Sequence, residues 1–292
     1  MNSNENAYDS ASKRILSKKS IICNIMKECI PEYKNLSKEE IIACIGDGSD
    51  SEYVETKSTE DIGINDERIN FDILFTTRLP NSNQKIGMYI DLEPQNEIYP
   101  GYELLNRALY YAARLIDRQK GEAFTNSNYD DLRKIYSIWI CTNPKAKQKD
   151  CINYYTLQEE CVKGNYHTSI DYKKINIIML YIGDNYNYNL TGVLEMLSLI
   201  FKETGHNIST VVQKLNNCYD IMILESEVQE VSNLSKGLIE QGMAQGMAQG
   251  VVQTIINVIK SGIPQDDAFR ITKADENTQK AVITKLKEEQ DS

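Results

Sequence analysis

Apolar and polar residues alternate along this chain at two different periods. Ile21, Ile22, Ile25, Met26 and Cys29 recur at helical spacing, so a helix is predicted from about Ser17, ending at Pro31. Ser37-Lys38-Glu39-Glu40 has the form of a capping box and predicts a second, short helix over 41–45. Residues 52–58, 69–77 and 86–93 predict three strands, the last two joined through Pro80-Asn81-Ser82-Asn83 and therefore antiparallel. A helix over 102–119 follows Pro100-Gly101, with Leu105, Leu109, Ala112 and Ile116 as its apolar face. Strands over 134–141, 153–157 and 174–182 and helices over about 191–203 and 207–217 complete the pattern. Helix, three strands, helix, strand describes an α/β fold with a mixed sheet and helices on its faces.

The two ends differ from this central part. Residues 1–14 are polar and mixed in charge and are expected to be disordered. Beyond about Glu225, glycines stand at Gly237, Gly242, Gly246 and Gly250. Such a run reads either as a flexible or frayed helical linker or as a helix whose bare face admits a second helix. Short helices over 251–260, 265–271 and 275–288 follow, an arrangement open to a helix-turn-helix-like reading. The expected organisation is a disordered 1–14, a main domain over 15–225 and a helical region over 226–292.

Composition narrows the chemistry. Seven scattered cysteines form no C-x-x-C pair and fit free thiols in a reducing compartment. The two histidines, His167 and His206, have no partner at ligand spacing, so a zinc site or a Ser-His-Asp triad is poorly supported. Enzymatic chemistry would then run on carboxylates. No apolar run reaches the ~18 residues that suggest a membrane span, and the polar N-terminus lacks a signal-peptide core. A cytoplasmic protein with no membrane partner is expected. The formal net charge of −10 argues against a protein that coats nucleic acid non-specifically. It leaves room for a local basic groove.

The stretch Gly87-Met88-Tyr89-Ile90-Asp91-Leu92-Glu93-Pro94-Gln95 carries the candidate chemistry. On a strand, Met88, Ile90 and Leu92 share one face and Tyr89, Asp91, Glu93 and Gln95 the other. Pro94 ends regular pairing, so polar groups gather where the strand breaks off. Asp72, inside the apolar run Phe71–Phe75, needs a partner, a metal or an exposed face. Alone it reads rather as a turn or edge-strand acid. If the hairpin sets Asp72 beside Glu93, the two acids repel unless a cation lies between them, and Mg²⁺ suits oxygen ligands of this kind. Asp91 is either a third ligand or a rim acid. On the 102–119 helix, Arg107, Tyr111, Arg114 and Arg118 line one face. They either grip a phosphate backbone or pair with Glu103 and Asp117 in solvent.

Asp72, then Asp91-Leu92-Glu93-Pro94-Gln95, then YPGYELLNRALYYAARLIDRQ and YDDLRKIYSIWICTNP together resemble the PD-(D/E)XK nuclease family transposases, which belong with the recombination-promoting nucleases. The upstream IMKECIPEYKNLSKEEI and the glycine-spaced tail are also similar, so the resemblance covers about residues 15–290. It implies a restriction-endonuclease-like αβββαβ core and Mg²⁺-dependent (or Mn²⁺-dependent) cleavage of DNA phosphodiesters. It implies that Asp72 and Glu93 are metal ligands. Gln95 stands where the general motif has lysine, and a neutral amide can only hydrogen-bond. Phe71 replaces the motif's proline. Glu32 resembles a first-helix acid that would be an additional ligand, with Glu28 and Glu40 as rivals. The alternative reading is a weak or inactive nuclease-fold protein that serves as a DNA-binding or oligomerising module. A homodimer would suit double-strand cutting. RNA is a third candidate substrate.

Overall fold

Helical periodicity reaches further toward the N-terminus than the composition suggests. The computed structural model describes residues 3–46, 51–57, 60–62, 68–79, 88–95, 101–183, 189–202 and 207–290. It divides into two compact units, Met1–Asn233 and Leu234–Ser292. The first unit opens on α1 (Ser3–Leu16), so most of the segment expected to be disordered is helical. Tyr8, Ala11, Ser12, Ile15 and Leu16 fall on one stripe and are buried. That stripe anchors a helix whose remaining face is polar.

In α2 (Lys19–Cys29), Ile21, Ile22, Ile25 and Met26 are buried, as their spacing predicts. A 3₁₀ turn at Pro31–Tyr33 follows. The capping box ahead of α3 (Lys38–Cys44) forms in full. Ser37 Oγ accepts from the Glu40 N–H at 3.2 Å, and Glu40 Oε2 accepts from the Ser37 N–H at 2.7 Å. Ser37→Ala is expected to destabilise the protein by about 1 kcal/mol, read as a lower denaturant midpoint at unchanged slope.

The strands are β1 (Glu60–Ile62), β2 (Arg68–Asn70), β3 (Ile73–Thr77) and β4 (Met88–Gln95), then, after α4 (Leu104–Asp117), β5 (Lys134–Cys141), β6 (Cys151–Thr156) and β7 (Ile175–Tyr181). β1 and β2 form a small antiparallel pair. The other five make one mixed sheet in the order β3-β4-β5-β7-β6. β3 runs antiparallel to β4, β4–β5 and β5–β7 are parallel, and β6 closes the far edge antiparallel to β7. The α/β class and the mixed sheet expected from the sequence are therefore present. The turn over 80–83 lies outside the described residues.

The strand expected over 52–58 does not form over its described part, 52–57. Tyr53 makes an isolated bridge to Lys18, and the Lys57 N–H reaches the Leu74 carbonyl at 2.7 Å. Only Val54 is buried there, so no alternating face holds the segment against the sheet.

Strand alternation divides the sheet into two faces. Tyr89, Ile135, Trp139, Cys141, Ile177, Met179 and Tyr181 form a core with Ala108, Ala112 and Leu115 of α4. Ile90, Leu92, Ile138, Ile140, Ile178 and Leu180, also buried, occupy the other face. The buried stripe of α4 is rotated from the expected one, and Leu109 is 49% exposed. Arg107, Tyr111 and Arg114 consequently border the sheet and are half-buried, where a separate solvent-facing stripe was expected.

Helices α5 (Gly192–Phe201) and α6 (Ile208–Tyr219) complete the first unit together with the start of α7 (Glu225–Lys260). α7 runs unbroken through the glycine-spaced segment, so that segment is helical. Among the described residues, a Cβ added at Gly237, Gly246 or Gly250 would meet nothing within 4 Å. In the second unit, Ile255 and Ile256 of α7 form a small core with Ala268 and Phe269 of α8 (Gln265–Thr272) and Val282 of α9 (Glu276–Gln290). Among the described residues, no helix is long and apolar enough to cross a membrane.

Candidate functional site

β4 carries acids on the face that α4 covers. Asp91 stands opposite Leu74 on one side and Ser137 on the other, and Glu93 stands opposite Trp139. Ile73 pairs with Leu92, so Asp72, one residue earlier, comes level with Glu93. The Asp72 N–H donates to Glu93 Oε1 at 3.1 Å. The sequence-predicted pair is thus brought together, with Asp91 beside it. Asp91 is fully buried and Glu93 is 2% exposed. The side chain of Asp72 is 18% exposed and forms the outer lip of the cluster.

Buried carboxylates need compensation. Asp91 Oδ2 accepts from Ser137 Oγ at 3.3 Å, and Ser137 Oγ accepts from Trp139 Nε1 at 2.9 Å. Asp91 Oδ1 is buried and, among the described residues, has no hydrogen-bond partner. Among the described residues, two cations face the acids. Lys13 of α1 places its Nζ 2.5 Å from Asp72 Oδ1, and Arg107 of α4 approaches Glu93 Oε2 at 3.9 Å. The Arg107 guanidinium lies over the rings of Tyr111 and Trp139, 4.9 and 5.3 Å from their centroids, and donates to Tyr111 Oη at 3.0 Å. Tyr111 packs edge-on to Phe71 and Trp139. Its ring belongs to the core, and its hydroxyl holds Arg107 in place.

Compensation falls short of three full negative charges. Burial, then the Asp72 charge, push the Asp91 carboxyl up to about 8. Burial, followed by the charges of Asp91 and Asp72, raises Glu93 well above the usual carboxylate range. Burial raises Asp72 as well, against the pull of Lys13. The three form one coupled group, and burial favours the protonated form of each. Such a cluster takes up positive charge readily.

Among the described residues, no group of three or more His, Cys, Asp and Glu side chains is arranged to hold a metal ion. A complete protein cage is therefore not preformed. The donors that are present fit a more open site. The orphaned Asp91 Oδ1 is a buried acceptor lacking a donor, and a hard cation satisfies such an atom. Mg²⁺ takes one or two carboxylates and fills its octahedron with water and substrate oxygens.

The remaining expected residues scatter. Glu32 is not part of the cluster. It accepts from Lys134 Nζ and Tyr136 Oη, each at 2.7 Å, and Tyr136 alternates with Ile135 and Ser137 onto the opposite face of the sheet. Its rivals are also engaged, Glu28 at the Val193 N–H and Glu40 in the capping box. Gln95 ends β4 opposite Cys141, and its side chain lies outside the described residues. Arg114 and Arg118 are half-buried along α4, and Arg118 Nη1 is buried without a hydrogen bond among the described residues. Sequence reasoning missed Lys13, Ser137 and Trp139. The alternation of β5 would have placed Ser137 and Trp139 on the site face, but nothing local to Lys13 announces its long-range contact.

Comparison with protein-family models, with curated proteins and with solved structures found no match.

Proposed function

We propose that the first unit is a Mg²⁺-dependent endonuclease that hydrolyses DNA phosphodiester bonds, with Mn²⁺ as a substitute metal. One observation carries this reading most strongly. Asp72 and Glu93, which are 21 residues apart, meet at the end of β4 beside a third acid, Asp91, that has an unpartnered buried oxygen. A hairpin feeding α4 and then the parallel strand β5 also agrees with a restriction-endonuclease-like core. The sequence resemblance adds an association with recombination or mobile DNA.

Asp72 and Glu93 would hold the metal, with Asp91 beside them and the rest of the shell filled by water and substrate oxygens. When bound, the metal would supply Lewis-acid charge to the attacked phosphate. Ser137, held by Trp139, fixes the orientation of Asp91. Arg107, held over two rings, keeps a positive charge beside Glu93 where a phosphate oxygen would gain negative charge. Water would attack phosphorus and give up a proton to solvent, the bridging P–O bond would break, and the leaving oxygen would take a proton from solvent. Gln95 is the proposed residue for positioning that water, by hydrogen bonding alone. Arg114 and Arg118 are proposed as backbone contacts further along α4.

The burial of Asp91 and Glu93 favours one second reading, a closed site on a nuclease scaffold that binds DNA or its own copy without cutting. Supercoiled plasmid incubated with the full chain separates the two. Nicked or linear product that requires Mg²⁺ or Mn²⁺ and vanishes in EDTA is the expected result, with an RNA substrate alongside to settle preference. Plasmid that is bound but left intact by folded protein at every metal condition would select the second reading.

A further inference from the structure

The cation in closest contact with the acid cluster comes from α1. Lys13 Nζ lies 2.5 Å from Asp72 Oδ1 and 2.7 Å from Asp9 Oδ2. Asp9 stands one helical turn before Lys13 on the same face of α1. The ammonium is thus held between an inner acid, 18% exposed, and an outer acid, 43% exposed. We propose that Lys13 is the resident counter-ion of this cluster, and that a divalent cation enters by displacing its ammonium from Asp72 onto Asp9.

This inference rests on the metal-site reading above and adds its regulation. An ammonium offers donors and one positive charge but no lone pair, so it cannot join a metal's coordination shell. With a divalent cation on the Asp72 carboxylate, Lys13 faces a double like charge at contact distance in a half-buried site, and repulsion drives it outward. Retreat requires only side-chain rotation. Asp9 already holds the ammonium, and the buried Ile15 and Leu16 keep α1 in place. In the metal-free protein, Lys13 offsets part of the charge that burial makes costly. The metal must therefore bind more tightly than this built-in competitor. Arg107, at 3.9 Å from Glu93, does not play the same part, because its guanidinium is fixed over Tyr111 and Trp139.

Mn²⁺ binding to the full chain tests this directly, by calorimetry and by the loss of the free-Mn²⁺ spin-resonance signal, with no nuclease assay involved. Lys13→Met is expected to bind Mn²⁺ about tenfold more tightly than wild type. Lys13→Gln serves as a second variant, and circular dichroism verifies that both are folded. Asp9→Asn removes the outer acid and is expected to weaken binding at least about threefold, by an amount that shrinks in the Lys13→Met background. Wild type that binds Mn²⁺ through Asp72, with both Lys13 variants binding no more tightly, would overturn the competition and leave the metal site standing. Binding unchanged in Asp72→Asn, or absent from every variant, would overturn both.

Discussion

Glu93→Gln is expected to reduce metal-dependent cleavage at least about 100-fold while the protein remains folded. Loss of a group that merely supports a metal ligand costs about 10–100-fold, so loss of a ligand itself sets that range as a floor. The substitution keeps the side-chain volume at a position that is 2% exposed. The amide oxygen can still accept the Asp72 N–H that now reaches Glu93 Oε1 at 3.1 Å. It removes a carboxyl that burial and the charges of Asp91 and Asp72 hold well above its usual range. Folding should therefore be unaffected or slightly favoured. Single-turnover cleavage rates, Mn²⁺ affinity and the thermal midpoint read the three consequences separately. A variant that cleaves like wild type would remove Glu93 from the metal centre, and with it the reason for reading the end of β4 as an active site.

Asp91→Asn is expected to stabilise the metal-free protein, increasingly so as the pH rises. The carboxyl of Asp91 is pushed up to about 8 from an ordinary 3.8, first by burial and then by Asp72. An acid whose folded value is raised favours folding fully below its unfolded value, and the contribution is lost as pH climbs through the folded value. Wild-type stability in EDTA should therefore fall between about pH 4 and pH 8. Asparagine mimics the neutral acid at every pH and escapes that loss. The gap between the two should be small near pH 4 and reach the order of a few kcal/mol near pH 8. Thermal midpoints across this range measure it. Saturating Mg²⁺ should close the gap by stabilising wild type, since a ligand that binds only the native state adds to its stability. A gap that is flat with pH would mean that Asp91 titrates normally and that the cluster has less need of a cation.

Local rules carried much of this structure. The alternation of Tyr89, Asp91 and Glu93 against Ile90 and Leu92 correctly separated the two faces of β4, because only one face of each strand meets a given layer. The capping box at Ser37 and Glu40 is a contact across three residues, and it forms as read. Errors arose where tertiary contacts decide. Residues 3–14 look solvated until Tyr8, Ala11 and Ile15 are seen as one buried stripe. The α4 face turned because Ala108 and Leu115, with Ala112, pack on the sheet while Leu109 stays exposed. Glu32 resembles a first-helix acid of a metal site, but its two oxygens are taken by Lys134 and Tyr136. Lys13 meets Asp72 across 59 positions of chain, and no periodicity encodes that pairing.

The most direct test of the central claim is to locate the metal itself. Crystals of the full chain grown with Mn²⁺ would show it by anomalous scattering. The account predicts a single strong peak at the end of β4, within about 2.0–2.3 Å of oxygens from Asp72 and Glu93, with Asp91 Oδ1 turned toward it. A peak elsewhere in the molecule, or none beside these acids at saturating Mn²⁺, would contradict it.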